Sequence, residues 1–142
     1  MLLHASCVAI KDKAVLLVGP AGAGKSDLAL RLIDGGAQLI SDDQTELQLK
    51  GDALIAAAPT SIAGLFEVRH VGLLRMPHSK VGTVALYVDL AGIDQKLERL
   101  PEADSIILLD RSVLRLRLPA FAASTPAKIR AVLSYPLVTD ET

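Results

Sequence analysis

The sequence predicts one mixed α/β domain in which a phosphate-binding loop joins a buried strand to a helix. Three observations predict it. Strand-length apolar runs outnumber helical stretches along the chain. The run Ala14-Val15-Leu16-Leu17-Val18 leads directly into Gly19-Pro20-Ala21-Gly22-Ala23-Gly24-Lys25-Ser26. The residues from Ser26 to Asp34 then carry a helical period. At 142 residues and 51% hydrophobic composition, the chain can bury a core of single-domain size, and residues 1–142 are read as one domain.

The elements follow in order. His4 to Ile10 is a strand, closed by the polar turn Lys11-Asp12-Lys13. Ala14 to Val18 is apolar without alternation, as expected of a strand covered on both faces. In Ser26 to Asp34, Leu28, Ala29, Leu32 and Ile33 share one helix face and Asp27, Arg31 and Asp34 the other, with Gly35-Gly36 as the stop. Gln38 to Ser41 is a short strand ending at Asp42-Asp43. Glu46 to Leu49 and Ala53 to Ala58 flank Lys50-Gly51-Asp52 as a hairpin. Further strands are expected at Phe66 to Val71, Val84 to Leu90, Ile106 to Leu109 and Leu114 to Leu118. Ser124 is placed as an N-cap, with Pro126 in the first turn of a helix running from Ala127 to about Leu133. So many strands with so few helices imply more antiparallel pairing than an ordinary doubly wound sheet carries.

Composition excludes several function classes. Fifteen Lys and Arg against sixteen Asp and Glu give a net charge of −1, which offers no electrostatic footprint for nucleic acid. Aromatic residues make up 3% with no Trp, so base-stacking platforms are not expected. No apolar run approaches the ~20 residues needed to cross a bilayer. The start, Met1-Leu2-Leu3-His4, has no basic segment ahead of a long apolar one, so no signal peptide is expected and the cytoplasm is the expected compartment. The single cysteine, Cys7, fits a reducing setting.

Gly19 to Ser26 matches G-x-x-x-x-G-K-S in full, between a strand and a helix. The glycines allow backbone N–H groups to turn inward around a phosphate, and the helix aims the positive end of its dipole at the same place. Lys25 is placed to reach the β- and γ-phosphates, and the Ser26 hydroxyl to ligate Mg²⁺. The motif points to a nucleoside triphosphate or another polyphosphate.

Two acids compete for the remaining roles. Asp42-Asp43 follows the next strand, where one carboxylate could serve Mg²⁺ and the other accept a proton. Ile106-Ile107-Leu108-Leu109-Asp110 has the Walker B pattern, the magnesium acid of small-molecule kinases and ATPases. Residues alone leave both open. In Phe66-Glu67-Val68-Arg69, alternation puts Glu67 and Arg69 on one face, which on its own reads as a surface ion-pair face. His4 alone reads as an edge residue, and His70 and His78 have no zinc-site spacing.

Together these residues resemble the bacterial HPr kinase/phosphorylase family, in a short form consisting of the catalytic P-loop domain only. The likeness runs from Leu3-His4-Ala5-Ser6 through the phosphate loop and Leu39-Ile40-Ser41-Asp42-Asp43 to Gly64-Leu65-Phe66-Glu67-Val68-Arg69. It is good over residues 2 to 75 and looser beyond. The sequence departs from the family at His70, where glycine is usual, and at Leu118-Pro119-Ala120-Phe121-Ala122-Ala123-Ser124-Thr125-Pro126, where a proline-glycine-arginine-asparagine stretch is usual.

The resemblance implies a fold related to phosphoenolpyruvate carboxykinase. It implies a serine kinase acting with ATP and Mg²⁺ on an HPr-type carrier of the phosphotransferase system. The reverse reaction, in which phosphate attacks the phosphoserine and pyrophosphate leaves, comes with it, as do hexamers. By position, Asp43 would be the base and Asp42 its less favoured neighbour. His4 would orient that acid, Lys25 would hold the transferring phosphate, and Ser26 and Glu67 would ligate Mg²⁺. Arg99, in Leu97-Glu98-Arg99-Leu100, would be the catalytic arginine. The readings that stand beside this one are a small-molecule kinase using Asp110 and a non-catalytic nucleotide-binding regulator.

Overall fold

A computed structural model describes residues 1–92 and 95–138. The order of elements is β1 (Leu2–Leu3), β2 (Ala5–Ile10), β3 (Lys13–Val18), α1 (Lys25–Asp34), β4 (Gln38–Ser41), β5 (Thr45–Lys50) and β6 (Ala53–Ala57). After a one-turn 3₁₀ segment at Thr60–Ile62 come β7 (Leu65–Val68), β8 (Gly72–Arg75), β9 (Gly82–Ala91), β10 (Asp104–Leu108), β11 (Arg111–Pro119) and α2 (Thr125–Ser134). β7 and β8 form their own hairpin. The other strands make a nine-stranded mixed sheet in the order β1-β5-β6-β9-β3-β2-β4.

β9 organises this sheet. One edge pairs parallel with β3, from Lys13↔Thr83 to Val18↔Asp89. The other edge is shared: β6 pairs antiparallel with its first residues, and β11 pairs parallel from Leu114↔Leu86 to Pro119↔Ala91. Among the described residues, the β3/β9 and β9/β11 ladders of this sheet are parallel and its other ladders antiparallel, as the scarcity of helices implied.

The apolar run of β3 is explained by burial on both sides. Val15 and Leu17 join one core with Leu28, Ala29 and Leu32 of α1, Ile129 of α2, and Phe66. Ala14 and Leu16 join a second core with Cys7, Ile40, Leu47, Leu54 and Val113, where β5–β6 and β10–β11 curl over the opposite face. α2 is fastened to this frame by Arg130 Nη2 donating to the Leu32 carbonyl at 2.9 Å.

Three expectations need correction. Phe66 to Val71 is not one strand: β7 ends at Val68, His70 takes φ 71°, and Val71 N–H returns to Val68 O at 3.0 Å, so β8 runs back along β7. The left-handed conformation at His70 is one that glycine adopts without cost, which accounts for glycine there in the family the sequence resembles. Ser124 is the N-cap residue of α2, as expected, and its carbonyl accepts from the Lys128 N–H at 2.9 Å, but its hydroxyl makes no capping bond; Thr125 ties the helix start to Pro119 O. Asp110 is a turn residue. It and Leu109 have φ 64° and 47°, the positive pair that a two-residue type I′ hairpin requires.

Candidate functional site

Gly19 to Gly24 leaves the end of β3 and enters α1, level with the ends of β9 and β11. Inside the loop, Ala23 N–H bonds Pro20 O at 3.0 Å. Gly24 is the N-cap at φ 100°, and no side-chain oxygen takes up the first N–H groups of α1. Those donors are free to face an anion. Lys25 is nearly buried, with Nζ donating to the carbonyls of Gly19 at 2.6 Å and Pro20 at 3.2 Å. Its charge is thus held within the loop. The loop is braced from behind by Ala120 and Phe121, which sit where a side chain at Gly24 would be, and Arg31 of α1 donates to the carbonyls of Ala120 and Ala122.

The acid corner faces the helix end of the loop. Asp42 Oδ1 accepts from Ser26 Oγ at 2.8 Å and Ser6 Oγ at 3.1 Å, while Asp42 Oδ2 accepts from the Glu67 backbone N–H at 3.3 Å. Ser6, fully buried in β2, also accepts from the Asp43 N–H at 3.1 Å. One serine therefore fixes both acids. Asp43 is exposed at φ 67°, a conformation Asp tolerates better than most residues, and its carboxylate makes no hydrogen bond among the described residues. The two neighbours thus differ: Asp42 is bound to Ser26, and Asp43 is free.

Of the predicted site residues, the structure brings together Lys25, Ser26, Asp42, Asp43 and Glu67. His4 lies between β1 and β2; because Ala5 pairs with Val18, His4 is level with Gly19 at the mouth of the loop. Its ring makes no hydrogen bond among the described residues. Arg99 is exposed in the connection between β9 and β10 and makes no ion pair among the described residues. Asp110 stands at the opposite end of β11, seven positions before Arg117, a strand length of roughly 23 Å from the loop. Sequence reasoning missed Ser6, whose one signal was a hydroxyl inside an apolar strand.

The residues present fit Mg²⁺ and a polyphosphate: uncapped helix donors, a buried ammonium, and a serine hydroxyl in contact with a carboxylate. Among the described residues no three His, Cys, Asp or Glu cluster. Two hollows flank the loop. One, of about 190 Å³, adjoins Ser26, Phe66, Glu67, Arg69 and Phe121. The other, of about 430 Å³, lies beside Pro20 to Ala23 and is walled by Asp89 and Arg117.

The fold and this site define a phosphate-loop protein whose acid corner comes from the strand after the loop helix. Comparisons narrow the class. Residues 1–132 match the family model described as HPr Serine kinase C-terminal domain. An HPr kinase/phosphorylase of Geobacillus thermodenitrificans is 31% identical over 82% of this chain and 41% of its own length. One from Xylella fastidiosa is 40% identical over 54% of this chain and 24% of its own. The solved structure of the Hpr(Ser) kinase/phosphatase from Coxiella burnetii superposes with a TM-score of 0.82 at 26% identity, covering 94% of this chain and 88% of that one. The chain belongs to the HPr serine kinase C-terminal domain family and has the mixed-sheet, carboxykinase-like fold expected of it. It spans about two fifths, or less, of the curated relatives' length. Among the described residues no helix is long and apolar enough to cross a membrane.

Proposed function

We propose that this chain is one catalytic unit that transfers phosphate from ATP to a serine of an HPr-type carrier in the cytoplasm, with pyrophosphate and phosphate serving the reverse reaction. The observation that carries it is the Ser26–Asp42 contact at 2.8 Å beside a free Asp43. Ser26 and Asp42 would hold Mg²⁺, with Glu67 alongside. Bound there, the ion neutralises charge on the phosphates. Lys25 and the loop N–H groups hold the transferring phosphoryl group. Asp43 accepts the proton of the attacking serine hydroxyl; the new O–P bond forms as the bond to the departing diphosphate breaks. In reverse, an oxygen of inorganic phosphate bonds the phosphoserine phosphorus as the serine O–P bond breaks, giving pyrophosphate, and Asp43 returns the proton to the departing serine oxygen. His4, at the loop mouth, would orient Asp43, and Arg99 would act from the β9–β10 connection. The family's hexamers make self-association part of the proposal.

The test is to incubate the chain with Mg²⁺-ATP and HPr, then read the carrier by intact mass and locate the phosphate. Phosphoserine is expected with the unaltered chain and not with Lys25→Ala. Asp43→Asn keeps the left-handed backbone accessible and is expected to retain nucleotide while losing roughly 10²–10⁴ in transfer rate. Asp110→Asn is expected to transfer at the unaltered rate. ATP binding with no mass gain on any carrier would instead favour a small-molecule kinase or a nucleotide sensor.

A further inference from the structure

The β7–β8 hairpin stands outside the main sheet and borders the acid corner. Glu67 N–H donates to Asp42 Oδ2, and Glu67 and Arg69 line the smaller hollow together with Ser26. The hairpin has two unlike faces. Phe66 and Val68 turn inward and pack on the core beneath. The register pairs Glu67 with Leu73 and Leu65 with Arg75, so all of these share the outward face. Leu73 is 66% exposed, and Val71, at the turn, is 70% exposed. Cross-strand partners hold their Cβ atoms about 4.5–5.5 Å apart. An exposed leucine therefore stands beside the wall that Glu67 gives to the hollow of Ser26. β8 pairs with β7 on one edge and, among the described residues, with no strand on the other.

Charge says what such a surface fits. Between Glu67 and Asp89 the sequence contains Arg69, Arg75 and Lys80 and no acid, in a chain of net charge −1. Arg69, His70 and Arg75 are exposed and make no ion pair among the described residues, whereas Arg111, Arg115 and Arg117 each meet an aspartate. Cations set around an exposed apolar group favour a partner surface of the opposite sign. A second copy docking by the same hairpin would set these cations against themselves. A protein that delivers a hydroxyl to Asp43 must cover the ground around Ser26 and Glu67, and the hairpin is one bank of that ground. A pair of four-residue strands suits a transient contact rather than a permanent one.

We propose that the outward face of the hairpin, Leu73 flanked by Arg69 and Arg75, docks an acidic face of the protein that carries the acceptor serine, with an apolar side chain seated on Leu73. This rests on the serine-kinase reading above. The test measures HPr binding by calorimetry and phosphoserine formation, first with HPr varied and then with ATP varied. Arg75→Glu is expected to raise Kd and KM for HPr about tenfold, and the difference is expected to shrink at high salt. Leu73→Ser is expected to raise both about tenfold without that salt dependence. In both variants kcat and the KM for ATP are expected to hold, and Arg75→Lys is expected to behave as the unaltered chain. Values for HPr within about twofold of the unaltered chain in either variant overturn the proposal. So does a matching loss in kcat or in the KM for ATP, which would place the fault in the acid corner. A change in the chain's own mass in solution also overturns it, because the face would then belong to a second copy. The two readings fail separately. Phosphoserine formed at unaltered KM by both variants removes the docking face and leaves the kinase. HPr binding that both variants weaken, with no phosphoserine from the unaltered chain, removes the kinase and leaves the docking face. Neither binding nor phosphoserine removes both.

Discussion

Gly24 is where the backbone of the loop, its brace and the helix start meet, and replacing it separates two costs. A Cβ at Gly24 would stand 2.8 Å from Phe121 Cζ and 2.9 Å from Ala120 Cβ, at a backbone φ of 100°. The backbone term is roughly 1–2 kcal/mol for a side chain held at positive φ. Overpacking adds roughly 1–3 kcal/mol. Gly24→Ala is therefore expected to destabilise by about 2–5 kcal/mol, a large share of a typical domain's stability. Gly22→Ala is the internal control: φ is 80°, but nothing lies within 4 Å, so only the backbone term applies. The two obstructing groups differ in freedom. The Phe121 ring is 57% exposed and can swing outward, whereas Ala120 is 2% exposed and its carbonyl is held by Arg31. Phe121→Ala in the Gly24→Ala background is thus expected to recover less than half of the loss. The assay is urea unfolding, with a shift in midpoint at constant slope as the readout. A Gly24→Ala protein within 0.5 kcal/mol of Gly22→Ala would refute the brace, since the difference between them is the packing term of roughly 1–3 kcal/mol.

Two further outcomes follow from buried groups of β2. Ser6→Ala removes the hydroxyl that donates to Asp42 and accepts from Asp43 N–H. It is expected to cost about 1–2 kcal/mol and, with Asp42 less firmly aimed, to raise the Mg²⁺ needed for half-maximal transfer roughly tenfold, measured by magnesium titration of phosphoserine formation. Burial raises the Cys7 thiol far above its usual range, so thiol reagents in native buffer should label it only at the rate of unfolding. Because the folded form keeps the proton and the unfolded form loses it above about pH 8.5, its stabilising contribution is intact below that pH and falls by about 1.4 kcal/mol per unit above it. Cys7→Ala should flatten that slope between about pH 8.5 and 10, below the range in which the phenol of Tyr87, raised by burial and then by Asp89, contributes; an unchanged slope would refute the assignment to Cys7.

What the sequence made legible was what depends on neighbours in the chain. The phosphate loop was readable because its spacing, the apolar run of β3 and the period of α1 are all local. β4 was readable because Gly35-Gly36 stops α1 and Asp42-Asp43 ends the strand. The second strand of the β7–β8 hairpin was not, because its turn rests on a histidine at positive φ, where no glycine or asparagine marks it. Asp110 misled for the same reason: four apolar residues and an acid fit both a magnesium strand and a type I′ hairpin, and only the direction of β11 separates them.

The division of labour at the acid corner lay further out of reach. Asp42 and Asp43 are chemically the same in the sequence, and nothing local orders them. Their surroundings differ because three elements distant in sequence, Ser26 on α1, Ser6 on β2 and the Glu67 backbone on β7, all converge on Asp42. Asp43 takes a left-handed backbone, and its carboxylate makes no hydrogen bond among the described residues. A carboxylate that accepts from two hydroxyls and an amide is suited to a fixed electrostatic task. One without a hydrogen-bond partner among the described residues is suited to take up a proton and give it back. The sheet makes this distinction: β2 lies between β3 and β4, so it alone can set a buried hydroxyl between the loop that carries Ser26 and the strand end that carries both acids.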